Sequence, residues 1–350
     1  MKIAIINDTH FGGRNDSQNL YHIQREFFEK QFFPYLKKNN IDQIIHAGDI
    51  FCRRKYINFR SLDFFNEVFV QNVVKENIKV DIIVGNHDVF WKDNNNLNSP
   101  NLLINHLDNF NIFIDTVEQE YDGRKILLCP WLCRENFHES MKLVKKTDAE
   151  ICIGHFEFNG FNLLPGVKSE DGMSKKEFEK FYMVLSGHYH TKSDDGQVFY
   201  LGAQYPMNWS DYDDPKFFHI LDTEKMTLKA IKNKREYYHK VVYNDKENDY
   251  NKFNVKKYDN CHVKMIIEQR DKPLMYENLI NRFHKSDVED LKIIEKENFE
   301  YEEDEADFDE VEDMMTVLNS YVSNITLEDD EKTKVKSLMS NLYTEALSED

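Results

Sequence analysis

The chain has 350 residues, 41% hydrophobic, 13% aromatic and 31% charged, a balance that suits one large domain or two to three smaller ones and excludes global disorder and collagen-like repeats. No apolar run approaches the ~18–20 residues that span a bilayer, the first such run, Ile3 to Ile6, is too short for a secretory leader, and five cysteines (Cys52, Cys129, Cys133, Cys152, Cys261) without a CxxC pair suit a reducing compartment rather than a disulfide scaffold or zinc ribbon. The formal charge of −18 is local: the segment 295–331 holds 16 acidic residues and one basic, so the remainder carries only −3, and an anionic substrate is not excluded.

From the N-terminus one arrangement recurs. A short apolar run, strand-like in length and composition, stops abruptly at Asp, Asn, His or Gly. Ile3–Ile6 leads into Asp8-Thr9-His10, the run at 43–46 into Gly48-Asp49, and the run at 80–84 into Gly85-Asn86-His87-Asp88. The run at 150–153 leads into Gly154-His155, and the run at 182–185 into Gly187-His188-Tyr189-His190. Between the first three runs, apolar residues recur at helical spacing over 18–38 (Leu20, Ile23, Phe27, Phe28, Phe32, Leu36) and 60–75 (Leu62, Phe65, Phe69, Val73). Strand alternating with helix predicts an α/β fold with a buried sheet, whose ligands gather beyond the carboxyl ends of the strands.

Further strands are predicted near 125–129, 197–202 and 216–222. The stretch 159–180 reads as a loop followed by a short helix capped by Ser174. Beyond residue 235 the character changes to a small α+β unit over 236–295, with a strand at 262–268 and a helix at 274–284. An acidic linker follows over 296–313, and two short amphipathic helices over 314–350 are too small to bury much alone. His46, His106, His138 and His219 read as ordinary strand, helix or surface residues, Cys129 and Cys133 as small buried residues, and Trp131 as core at a strand end.

Each strand-end block is weak by itself, but the set converges on one chemistry. Two cations about 3.5–4 Å apart need several Asp, His and Asn side chains and one bridging carboxylate. The donors on offer are Asp8, His10, Asp49, Asn86, His155, His188 and His190; this mix of nitrogen and oxygen suits Mn, Fe or Zn better than Ca. Spacings of two residues, as in Asp8/His10 and His188/His190, send both side chains the same way as the chain leaves a strand.

These ordered blocks, D-x-H, G-D, G-N-H-D, G-H and G-H-x-H, resemble the calcineurin-like metallophosphoesterase superfamily over residues 1–222. Within it the chain is similar to the SbcD/Mre type of DNA double-strand-break repair nuclease, including the small subunit of bacteriophage recombination endonucleases, through Ala47-Gly-Asp-Ile-Phe51, the stretch 200–206 and Phe217-Phe-His-Ile-Leu221. The resemblance implies a two-sheet sandwich flanked by helices (1–235), a capping, DNA-recognition domain (236–295) and a C-terminal helical tail (314–350) that binds the coiled coil of an SMC-like ATPase of the SbcC type.

The same resemblance implies that Asp8, His10 and His190 hold one metal, that Asn86, His155 and His188 hold the other, and that Asp49 bridges. His87 would act on the scissile phosphate, and Asp88 would orient His87. It further implies two divalent ions, Mn²⁺ by family habit with Mg²⁺, Fe or Zn as substitutes, and attack by a metal-bridging hydroxide on single- and double-stranded DNA. A homodimer and a location in the cytoplasm, that of the host if phage-encoded, follow from the same source. Arg14, Arg53, Arg54, Lys55 and Arg60 near the site predict contacts to a phosphate backbone, with Tyr56, Phe59 and Trp91 available to stack bases. The chain departs from the family at Cys52, a His in some relatives, and at Ala203-Gln204 in place of Ser-Pro; neither position is expected to touch a metal ligand. The alternatives are a phosphodiesterase of small nucleotides and a non-catalytic DNA-end-binding scaffold.

Overall fold

The computed structural model describes residues 1–169 and 171–296, with a few isolated positions after residue 321. Most of the linker and tail assigned to 296–313 and 314–350 therefore lies outside the described residues.

Two six-stranded sheets face each other. In the first, Lys2–Ile6, Gln43–His46, Lys79–Ile83 and Phe110–Phe113 run parallel in that order, Phe217–Asp222 pairs antiparallel with Lys2–Ile6, and Thr227–Lys232 pairs antiparallel with Phe217–Asp222 at the edge. In the second, Met183–Ser186 pairs in parallel with Ile151–Gly154 and Val198–Tyr200, and Ile151–Gly154 pairs in parallel with Arg124–Cys129. Val117–Tyr121 and Ser193–Asp194 close its edges in antiparallel pairing. The central strands are covered on both faces, which explains their unbroken apolar runs. Ile3, Ile5, Ile45 and Ile83 from one sheet meet Ile126, Leu128, Ile153 and Leu185 from the other.

Helices cover the outer faces. Gln18–Phe27 continues through a π-turn, Phe28–Phe32, into Phe33–Lys38, and Phe59–Phe65 continues through Asn66–Val70 into Gln71–Lys75. Both lay phenylalanines on the first sheet. On the second sheet's outer side, Phe137–Lys146 packs with Phe156, Phe158 and Phe178. The predicted loop at 159–180 holds a small hairpin, Asn162–Leu164 with Val167–Lys168, and a short 3₁₀ turn, Lys175–Phe178, capped by Ser174 through the Lys176 N–H.

A third sheet of three parallel strands, Tyr238–Asn244, His262–Gln269 and Asp290–Glu295, packs one face on the helix Pro273–His284. It is anchored to the sandwich by Tyr237, which donates to Glu26 Oε2 (3.0 Å), and by Tyr238, which donates to the Met207 carbonyl (3.1 Å). Among the described residues no helix is long and apolar enough to cross a membrane.

Candidate metal centre

The five polar blocks all leave the carboxyl ends of parallel strands, three from the first sheet and two from the second, and meet at the mouth between the sheets. The backbone there is bent against its preferences. Asp8, His10, Asp49 and His188 have φ of 46°, 44°, 59° and 84°, a left-handed conformation that costs a non-glycine residue about 1–3 kcal/mol and persists where the surroundings over-determine it. The bends turn consecutive side chains inward.

Two groups of donors result. Asp8, His10 and His190 bring ligand atoms within 4.8 Å of one another, and so do Asp49, His155 and His188. In the first group His10 Nε2 lies 3.1 Å from His190 Nε2 and 3.9 Å from Asp8 Oδ1. In the second, Asn86 Oδ1 lies 2.9 Å from His155 Nε2 and 3.2 Å from His188 Nδ1. Asp49 stands between them: its Oδ2 is 3.9 Å from His10 Nε2 and 3.2 Å from His155 Nε2. All seven donors named from the sequence are thus brought together.

The residues fit a divalent-metal pair. Imidazole nitrogens, carboxylate oxygens and the Asn86 amide oxygen converge, an arrangement that a cation satisfies. The packing leaves space for these donors and little else. A Cβ added at Gly85 would lie 2.1 Å from Asp49 Oδ1, and one at Gly48, whose φ is +94°, would lie 2.4 Å from His155 Nδ1. That same Nδ1 is 2.8 Å from the Ala47 carbonyl, which fixes the tautomer that directs Nε2 into the site.

The electrostatics follow from burial and proximity. Burial pushes the Asp8 carboxyl up to about 7, with the Asp49 charge acting in the same direction against His155. Burial, aided by the neighbouring His87, brings His10 down to about 3, so its imidazole is neutral. For Asp49, burial is outweighed by His155 and His87, and the carboxyl is held well below its ordinary range. His155 is the counterpart: burial opposes its charge, but Asp49 lifts it to about 9. A proton on His155 must therefore leave as a cation enters, the usual coupling of metal binding to deprotonation.

The residues around the donors differ in part from the sequence reading. His87 is half-buried, its ring 4.9 Å from that of His10, and its Nδ1 is 2.7 Å from the Cys52 carbonyl. The Asp88 carboxylate, expected to orient His87, instead accepts the backbone N–H groups of Asp49 (2.8 Å), Ile50 (2.9 Å) and Gly85 (2.9 Å), with Phe51 at 3.4 Å. Asp88 therefore ties the Gly48-Asp49 and Gly85-Asn86 turns together, and the Cys52 carbonyl positions His87. The Ala203-Gln204 departure also reaches a ligand. Gln204 Nε2 donates to the Asp8 carbonyl (3.3 Å), and Tyr205 donates to the Thr9 carbonyl (2.6 Å). His46 lies beneath the same loop, its Nε2 3.0 Å from Thr9 Oγ1. Trp131, read as core, is half-buried, with its ring 5.6 Å from that of His188. Its place after a Pro at a strand end was the only signal in the sequence.

The basic rim is mixed in character. Arg53 donates to Asp16 Oδ2 and Asn15 Oδ1, both at 2.7 Å, and Arg14 donates to the Tyr238 hydroxyl (3.3 Å). Arg54 is half-buried, whereas Lys55 and Arg60 are exposed. Tyr56, Phe59 and Trp91 are 63%, 88% and 55% exposed, so all three rings are open to a partner.

Residues 1–192, a span that holds all seven donors, match the model of the calcineurin-like phosphoesterase family. The chain belongs to that family. Members of the calcineurin-like phosphoesterase family use divalent metals, and this member is a metal-dependent phosphodiester hydrolase. Along its whole length it is similar to exonuclease subunit 1 of Enterobacteria phage T4, with 31% identity over 348 residues and 99% of each chain covered. Among solved structures it is distantly similar to an archaeal phosphodiesterase (17% identity, 67% of this chain and 100% of that one, TM-score 0.34). A second is purple acid phosphatase PPD1 from yellow lupin, Lupinus luteus, seeds (13% identity, 66% of this chain and 51% of that one, TM-score 0.41). Similarity at this level bears on neither substrate nor mechanism.

Proposed function

We propose that this phosphoesterase is a Mn²⁺-dependent DNA nuclease, both exo- and endonucleolytic, and the catalytic subunit of an ATPase–nuclease assembly in recombination and DNA end processing. The observation that carries the reading is the convergence of seven donors from five strand ends on two groups joined by Asp49. The full-length similarity to a protein named as an exonuclease subunit supports nucleic acid as the substrate.

In this reading Asp8, His10 and His190 hold one ion, Asn86, His155 and His188 hold the other, and Asp49 bridges. When bound, two such ions supply Lewis acidity and a water of lowered pKa. The chain's own residues do the rest. Asp88 and Gln204 fix the loops that carry the donors, and the Cys52 carbonyl holds His87 Nδ1. His87, so placed, stabilises charge at the phosphoryl oxygens or protonates the leaving oxygen. Lys55 and Arg60, with the exposed Tyr56, Phe59 and Trp91, receive the strand beside the site, and Arg14, Arg53 and Arg54 line its floor.

The wider assembly follows the same reading. Residues 1–235 form the nuclease unit and 236–295 cap it over DNA. The acidic linker at 296–313 leads to the tail at 314–350, which holds the SMC-like ATPase, and the subunit works as a homodimer in the cytoplasm. A cleavage assay on labelled single- and double-stranded DNA with Mn²⁺, with and without the ATPase, tests the reading. Asp49→Ala or His87→Ala abolishes cleavage; undiminished activity in either variant defeats it. Turnover of bis-p-nitrophenyl phosphate without any DNA cleavage transfers the assignment to small phosphodiesters.

A further inference from the structure

Trp131 is held more firmly than a core residue requires. Its N–H donates to the Val84 carbonyl (2.8 Å), and its own carbonyl accepts the side-chain amides of Asn95 and Asn136, each at 2.9 Å. Both asparagines are buried, at 5% and 9% exposure. Val84 immediately precedes Gly85-Asn86, so the first of these bonds couples the Trp131 backbone to the loop that presents Asn86. The indole centre lies 5.6 Å from the His188 ring and 6.2 Å from the His155 ring, and those two imidazoles are 5.3 Å apart. These are the separations of interacting aromatic pairs. Three rings thus wall the second donor group. The His155 ring is wholly buried, whereas His188 and Trp131 each keep part of their surface open.

We propose that Trp131 is the specificity-determining residue of this wall: its open surface stacks the base that flanks the scissile phosphate, selecting substrates that carry a nucleobase. The inference rests on the nuclease reading and names the residue that gives it its substrate class. An indole offers its π-face to any base, so the selection is for a nucleobase and not for a sequence.

The test compares the full chain with its Trp131→Ala and Trp131→Phe variants in Mn²⁺. For a single-stranded oligonucleotide, Trp131→Ala raises KM roughly tenfold, in line with the loss of one base–aromatic stack, and Trp131→Phe recovers most of that loss. KM for an oligonucleotide of the same length made of abasic nucleotides stays within about twofold, because that substrate carries no ring to stack, and its continued turnover shows that the variants are folded. Separately, paramagnetic Mn²⁺ quenches tryptophan emission of the wild type, and the quench largely disappears in Trp131→Phe while Mn²⁺ stoichiometry, read by electron paramagnetic resonance, is unchanged. Equal effects on both substrates, an unchanged KM for DNA, or an undiminished quench in Trp131→Phe overturns the inference. Wild-type protein that cleaves no DNA overturns the nuclease reading itself, whereas DNA cleavage indifferent to Trp131→Ala defeats only the role given to this residue.

Discussion

Asp49 and His87 lie close together, Asp49 Oδ1 accepting the His87 backbone N–H at 2.8 Å, but the proposed function gives them different duties, and substitution separates them. Asp49→Asn removes the charge that both donor groups share, so Mn²⁺ binding by calorimetry and turnover fall together. His87→Gln leaves the donors intact; Mn²⁺ binding persists while kcat drops about 10²–10⁴-fold, the usual weight of a positioned acid–base group. Gly85→Ala tests the packing of the same centre. Its Cβ would press on Asp49 Oδ1 and on the Asp49 backbone nitrogen, 2.5 Å away, so Mn²⁺ affinity falls although no donor is removed; unchanged affinity contradicts the proposed crowding. At this scale the sequence showed the donors clearly, because metal chemistry restricts residue type and strand ends restrict position. The residues behind the donors were hidden. Asp88 bonds to backbone N–H groups 37–39 positions away, and Gln204 and Trp131 reach the site from later strands, which are contacts set by loop paths and not by local pattern.

The turn that follows Asp8-Thr9-His10 shows how an element is held in an unfavourable shape. Arg14, Asn15 and Asp16 all have positive φ, at 49°, 55° and 60°. The Asp16 carboxylate secures them by accepting from Arg53 (2.7 Å), Ser61 and Asn58 (3.4 Å). Burial opposes its charge, but these donors outweigh burial and hold its pKa below the ordinary value. A carboxyl depressed in the folded state stabilises above its unfolded pKa, near 3.9, and loses that contribution as pH falls through the lower folded value. Asp16→Asn is therefore expected to cost about 1 kcal/mol in urea unfolding at pH 7, with the gap to wild type narrowing below about pH 4; a gap independent of pH contradicts this role.

The helices were legible as apolar periodicity, but their π-turns were not read. Phe27 and Phe28 are followed five residues later by Phe32 and Phe33, and Phe64 and Phe65 by Phe69 and Val70. A spacing of five aligns on one face only when a turn widens, and the Phe27–Phe32 and Phe28–Phe33 rings lie 5.6 and 6.0 Å apart. The strand Thr227–Lys232 has no apolar run to mark it, because four of its six residues are charged, threonine or small, as befits an exposed edge.

In the whole molecule, the donors come from both sheets: Asp8, His10, Asp49 and Asn86 from the first, His155, His188 and His190 from the second. In the proposed reading a cation pair would clamp the open mouth of the sandwich, and binding to the folded state alone would stabilise it by mass action. Mn²⁺ at about 100 times its Kd is expected to add about 2.7 kcal/mol, visible as a higher Tm that chelation reverses and that Asp49→Asn lacks. The stacking of two sheets was anticipated only through resemblance, since periodicity identifies strands but not which sheet each joins. The third sheet was only partly visible: one of its three strands was predicted, and the other two, Tyr238–Asn244 and Asp290–Glu295, interrupt their apolar residues with polar or charged ones.

Anomalous diffraction at the manganese edge from crystals of the wild-type chain addresses the central claim most directly. The account requires two peaks about 3.5–4 Å apart, one among Asp8, His10 and His190, the other among Asn86, His155 and His188, with Asp49 between them. A single ion elsewhere, or no ion at these side chains at saturating Mn²⁺, would contradict it.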